Sequence, residues 1–161
     1  MYGRAPAKIT LGLFSRQVSR SFLLAGFEEH RGIRITEEQT EEVIGKLNGY
    51  VGWLTYYGNY RCVRRLSHEK SLAQTVREGS KIISSELNSF LSRRQRDLYV
   101  KTLRLCLNGA RWSEILNELK INSKVLWDIL NTLKSVNLVE EKIEGHYSIE
   151  DPILKEAIKL L

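Results

Sequence analysis

Between Asn48 and Gly58 the chain runs N-G-Y-V-G-W-L-T-Y-Y-G, with three glycines and four aromatics in eleven residues. That density does not suit the middle of a regular helix or strand. Gly49 and Gly52 offer positive φ or room for close backbone approach. Trp53, Tyr56 and Tyr57 stand at i, i+3 and i+4, so a short helix over 52–59 sets them on one side. Just upstream, Thr36-Glu37-Glu38-Gln39 has the T-x-x-Q form of a capping box. Glu37, Glu38, Glu41 and Glu42 crowd the first turns that follow, where the positive end of a helix dipole welcomes them. A helix opened there runs to about Leu47 and closes at Asn48-Gly49. Residues 48–58 therefore form a corner between helices. It either buries its aromatics in a small core or brings backbone against a ligand, and composition alone favours the corner.

The surrounding chain is mostly α. Its two prolines, Pro6 and Pro152, lie near the ends, and Leu and Ile recur at helical spacing between them. Residues 13–30 read as an amphipathic helix with Ser15 as N-cap and Phe14, Val18, Phe22 and Ala25 or Gly26 on one face. Residues 67–91 give a long helix whose burial positions are Leu72, Val76, Ile82 or Ile83, Leu87 and Phe90, with Gly79 as a break or kink. With the helices at 36–47 and 52–59, these make a small helical bundle over residues 1–91.

A boundary falls at Ser92-Arg93-Arg94-Gln95, a second capping box (S-x-x-Q) that opens a helix to Leu107. Asn108-Gly109 ends it, and Arg111-Trp112 reads as a very short strand. Short helices follow at 113–119 and 123–135, the second capped by Asn122-Ser123 with Leu126, Ile129, Leu130 and Leu133 as its core face. Residues 138–144 alternate as a strand, Gly145 turns the chain, and residues 146–150 return. That order is the pattern of a winged helix, a helix-turn-helix followed by a β-hairpin wing. Asp151-Pro152 then starts a last helix ending at Leu161. The expected fold is mainly α, a bundle over 1–91 followed by a winged-helix domain over 92–161.

Composition bounds the function. The 161 residues are 42% hydrophobic and 27% charged, with 25 Lys and Arg against 19 Asp and Glu, the profile of a soluble globular protein. No apolar run approaches the ~18–20 residues of a bilayer span, and no apolar stretch marks a secretory signal behind Met1. These features point to a cytoplasmic protein that keeps off membranes. Cys62 and Cys106 lack a C-x-x-C or His partner, so the expectation is two buried free thiols and no zinc. Residues 1–91 hold 13 Lys and Arg and 9 Asp and Glu, and residues 92–161 hold 12 and 10. The positive excess does not concentrate in the half expected to bind DNA.

Several motifs of this sequence resemble those of the archaeal P-loop ATPase family, a branch of the STAND/AAA+ group. Gly49, Gly52, Trp53, Leu54, Thr55 and Gly58 match its G-I-P-G-W-L-T-x-x-G element. Val51 stands at the usual proline, keeping an apolar surface without proline's fixed φ. Ser21-Phe22-Leu23-x-x-Gly26-Phe27-Glu28-Glu29 is similar to the family's lid helix, Tyr2-Gly3-Arg4-Ala5 to the segment after its ATPase core, and Tyr147-Ser148-Ile149-x-Asp151-Pro152 to its C-terminal ending. The resemblance implies a helical lid behind a nucleotide-binding domain. Gly49, Val51 and Trp53 would then lie on the adenine side and Arg4 near the γ-phosphate, with ATP as the family-level cofactor. No G-x-x-x-x-G-K-[ST] run and no Walker B pattern occurs in the sequence, however. The expectation is a non-catalytic C-terminal regulatory portion that takes no cofactor by itself and is partnered by an ATPase core, by another protein or by DNA.

For DNA, the candidate residues are Arg93 and Arg94 at the boundary, Lys124, Asn131 and Lys134 on the 123–135 helix, and Lys142 in the wing. Lysine meets phosphate and asparagine reads adenine. Asp128 opposes phosphate, and Trp127 is read either as core or as outward. Protein or intramolecular docking weighs slightly more than sequence-specific DNA binding. The basic run 61–65 and the Arg93–Arg96 cluster grip phosphates or serve as solvated helix ends. His30, His68 and His146 are scattered and read as surface residues, and no constellation argues for an enzyme site. The alternatives are a stand-alone winged-helix DNA-binding regulator and a protein-interaction adaptor exposing Trp53, Tyr56 and Tyr57.

Overall fold

The computed structural model describes residues 12–30 and 32–161. Among them the chain is mainly helical, with one three-stranded antiparallel sheet. In chain order it forms α1 (Arg16–Glu28), α2 (Glu37–Leu47), α3 (Val51–Gly58), a π-helical turn (Asn59–Val63), α4 (His68–Leu91), α5 (Arg96–Cys106), β1 (Ala110–Arg111), α6 (Trp112–Leu119), α7 (Ser123–Ser135), β2 (Glu140–Ile143), β3 (His146–Ser148) and α8 (Pro152–Lys159). The strand order is β1-β3-β2.

Most helix starts follow local chemistry. Ser15 Oγ accepts from Val18 N (3.2 Å), and Asn122 Oδ1 accepts from Val125 N (2.9 Å). The Thr36–Gln39 box closes in both directions at 3.2 Å. At the end of α2, Asn48 takes the left-handed conformation with φ 48° and Gly49 follows with φ 73°. The Ser92-x-x-Gln95 box does not form. Ser92 Oγ instead donates to Ser89 O (2.8 Å) at the end of α4, and α5 starts after Gln95 without a side-chain cap. The strand expected over 138–144 shortens to 140–143, and all four of its residues are exposed. β2 is the edge strand of the sheet, so the hairpin is held through β3, which pairs with β1 and buries Tyr147, and through Val139 just before β2.

The structure corrects the face of α1. Its buried residues are Ser19, Leu23 and Phe27, which pack toward α2 and α3. Val18 and Phe22, expected in the core, are 47% and 36% exposed. Arg20 pairs with Glu37 and Glu41, and Arg16 with Glu41, on the same side as the buried stripe. The ion pairs and the Leu23/Phe27 pair lie on one side, so the second apolar stripe turns outward.

Among the described residues there are two apolar cores, and α4 runs through both. The first gathers Leu23, Phe27, Val43, Ile44, Leu47, Leu54, Tyr57 and Leu72. The second gathers Leu103, Ile115, Leu126, Ile129, Leu130, Leu133 and Tyr147, with Leu87 from α4. The last helix contributes to each, with Ile153 in the first core and Leu154, Ala157 and Ile158 in the second. Gly79 does not break α4, which is continuous over 24 residues. Its missing side chain is a notch: a Cβ there would lie 2.8 Å from Ile153 Cγ2 and 3.1 Å from the Trp53 ring.

Candidate functional site

The corner at residues 48–58 is held from two directions. Phe14 N donates to Gly49 O (3.0 Å), and a Cβ on Gly49 would stand 2.2 Å from Phe14 O. Glycine is needed here both for its φ and for that contact. On the other side, Trp53 Nε1 donates to Asp151 Oδ2 (3.2 Å), while Asn48 Nδ2 donates to the Glu150 carbonyl (3.3 Å). Asp151 also caps α8, its Oδ1 accepting from Ile153 N (2.8 Å) and Leu154 N (3.2 Å). The G-W-L-T and D-P motifs, separated by almost a hundred residues, thus touch. Of the residues implied for adenine, Gly49 and Trp53 are engaged in this packing and Val51 is exposed. Arg4 lies outside the described residues.

The far side of α3 lines an open groove of ≈ 500 Å³ against α1. Phe22, Ala25 and Gly26 form one wall; Thr55, Gly58 and Val63 form the other. A Cβ on Gly26 or on Gly58 would meet nothing within 4 Å, so both glycines face open space. Phe22 and Val63 are exposed on the two walls, so the groove presents apolar side chains from both sides. The lid-helix and G-W-L-T-x-x-G motifs supply both walls.

Of the expected aromatic patch, only Tyr56 is largely exposed. Trp53 is half-buried and Tyr57 is 0% exposed. The Tyr57 hydroxyl is hydrogen-bonded to His68 Nδ1 (2.8 Å), and His68 Nε2 to Glu42 Oε2 (3.0 Å). His68 is therefore buried, contrary to its reading as a surface residue. With Nε2–H donated to the carboxylate, Nδ1 is free to accept from the phenol. Burial pushes the Tyr57 hydroxyl up to about 12, so it stays a donor. The hydrogen bond to His68, then that to Lys46, holds Glu42 below the usual carboxylate range. Nothing local marks this chain, because its three members lie on three helices.

The basic run 61–65 turns partly inward. Arg61 donates to the carbonyls of Leu66 (2.7 Å) and Arg34 (3.3 Å), and the Arg64 guanidinium lies 5.1 Å from the Tyr60 ring centre. Of the nucleic-acid candidates, Arg93 and Lys124 are exposed and Asn131 is half-buried. Arg94 folds back over the Phe90 ring at 3.8 Å and bonds the Phe90 carbonyl. Lys134 pairs with Glu141 (2.5 Å) and Lys142 with Glu150 (2.9 Å). Lys134 and Glu141 tie α7 to β2. Among the charged residues that α7 and the hairpin leave outward, two large apolar side chains also stand in solvent: Trp127 is 59% exposed and Ile143 is 74% exposed. Cys62 and Cys106 are both free and buried. No helix among the described residues is long and apolar enough to cross a membrane.

No family model matches the chain, and no curated protein matches it. Among solved structures it is similar to a Walker-type ATPase of Pyrococcus abyssi, with 29% identity over 91% of this chain and a TM-score of 0.80. The chain spans 42% of the length of that ATPase chain. This likeness supports an archaeal P-loop ATPase-related family and a partial ATPase-related domain.

Proposed function

We propose that the chain is the non-catalytic regulatory portion of an archaeal-type STAND/AAA+ ATPase, with residues 1–91 as helical lid and residues 92–161 as winged helix. In this reading the uncovered groove between α1 and α3 is where a nucleotide-binding core docks, and ATP is held by that core. The observation that carries it is the groove itself. Its two walls are built from the two motifs that resemble the lid, and apolar side chains stand exposed there where a monomeric lid would gain nothing from them. The likeness to the Pyrococcus ATPase supports the assignment of the missing partner. The sequence offers no P-loop, so the chain alone is not expected to hydrolyse ATP. The test is co-migration, on size exclusion, of this chain with the part of the Pyrococcus ATPase that has no counterpart here. Complex formation with the unaltered chain and its loss in Phe22→Ser support the reading. Complex formation that survives Phe22→Ser/Val63→Ser overturns the groove as its seat.

The winged helix is best read as a protein-docking module. The observations favouring this over DNA are that Lys134 and Lys142 are paired with Glu141 and Glu150, that Asp128, Glu140 and Glu144 face solvent beside them, and that Trp127 and Ile143 stand exposed. A DNA reader spends such lysines on phosphates.

A further inference from the structure

We infer that the Asn48–Trp53 corner and the Glu150–Asp151 link form a clasp that sets how the β2–β3 hairpin is held on the body, so that a change at the corner is transmitted to the hairpin. The inference rests on contacts alone and is independent of the ATPase reading.

Glu150 and Asp151 are shared between the two halves. Toward the bundle, the Glu150 carbonyl takes the Asn48 amide and Asp151 Oδ2 takes the Trp53 indole. Toward the hairpin, Glu150 Oε1 takes Lys142 of β2 at 2.9 Å and Ser148 Oγ of β3 at 2.9 Å. Toward α8, Asp151 Oδ1 caps the helix whose Ile153 fills the Gly79 notch beside Trp53. One dipeptide thus fixes a strand end, a helix start and a corner of the bundle. Coupling between sites needs such a contiguous element with contacts to both. A hydrogen bond to a charged acceptor in partly buried surroundings is strong enough to bias it.

Two substitutions separate the clasp from the cap. Asp151→Asn keeps a side-chain oxygen for the α8 amides, since Asn caps as well as Asp, but turns an NH₂ toward the indole N–H. Trp53→Phe removes the indole donor and keeps a ring beside Gly79. Amide hydrogen exchange of Glu140–Ser148 is read in each variant of the full chain. Faster exchange there by roughly fivefold or more in both is expected. Leu23→Ala serves as the comparison, because it weakens the first core without touching the clasp, and relative to the α7 amides the hairpin should exchange no faster than in the parent. Hairpin rates unchanged in Trp53→Phe overturn the clasp, and so does equal acceleration in Leu23→Ala.

Discussion

Gly79 and Ile153 interlock: the absent side chain of the one, in mid-α4, is the seat of the other, from the first turn of α8. An isolated helix would gain about 1 kcal/mol from alanine at such a position. Here the added methyl would come within 2.8 Å of Ile153 Cγ2, on a side chain that is itself fully buried. Overpacking of this kind costs about 1–3 kcal/mol and outweighs the propensity gain. Gly79→Ala is therefore expected to lower the midpoint of urea unfolding. A raised midpoint would mean that α8 does not seat in the notch.

The rotation of α1 is open to an equally direct check. Leu23 is buried and Phe22 borders solvent. Leu23→Ala should cost about 2–5 kcal/mol, whereas Phe22→Ser, at a partly exposed ring packed edge-to-face on Phe14, should cost less. Chemical denaturation of the two variants side by side decides it. The reverse ranking would restore Val18 and Phe22 to the core.

Tyr57→Phe keeps the ring and deletes the hydroxyl that meets His68. A buried imidazole nitrogen is left without its partner, a loss of about 1–3 kcal/mol. The expected result is a lower thermal midpoint with unchanged helix content by circular dichroism. Full stability would show that the Tyr57–His68 contact contributes nothing.

Acid should loosen the hairpin. Lys134, and after it the Gly145 N–H, holds the Glu141 carboxyl below its ordinary value of 4.5, and Lys142 does the same for Glu150. Carboxylates that bind protons less readily folded than unfolded stabilise the fold above their ordinary pKa. That contribution is lost as pH falls below 4.5 toward the folded values. Both groups are partly solvated, so the effect is modest. Hairpin chemical shifts followed from neutrality to about pH 3 should move, and the movement should shrink in Glu141→Gln. A titration unaffected by Glu141→Gln would remove the pair from consideration.

On DNA, a labelled mixed-sequence duplex should bind no more tightly than the roughly 10⁻⁴–10⁻⁶ M of non-specific association. Lys134→Ala should leave that affinity unchanged, since the ammonium is already paired with Glu141. Anisotropy titration at two salt concentrations measures both. Submicromolar binding weakened by Lys134→Ala would return α7 to the role of a DNA reader.

Local chemistry was legible wherever a few neighbouring residues decide the outcome. The Thr36–Gln39 box, the Asn48-Gly49 stop, the Asn122 cap and the Asp151-Pro152 start all form within one turn of the residues that announce them. The order of helices and strands after residue 92 follows from them. The Ser92–Gln95 box shows the limit, because its hydroxyl had a closer acceptor in the preceding helix.

By itself the sequence determined the helical character, the order of elements and the corner at residues 48–58, because caps, glycine φ and apolar periodicity act over three or four residues. Which face of α1 is buried, why Gly79 is a notch, which lysines are already paired, and how His68 joins Tyr57 and Glu42 were decided only in three dimensions. In α1 both apolar stripes have helical spacing, and the one carrying Leu23 and Phe27 is buried because it meets α2 and α3, with Arg16 and Arg20 reaching carboxylates of α2 on the same side. Such choices depend on which partner surface arrives, and helical periodicity carries no information about that.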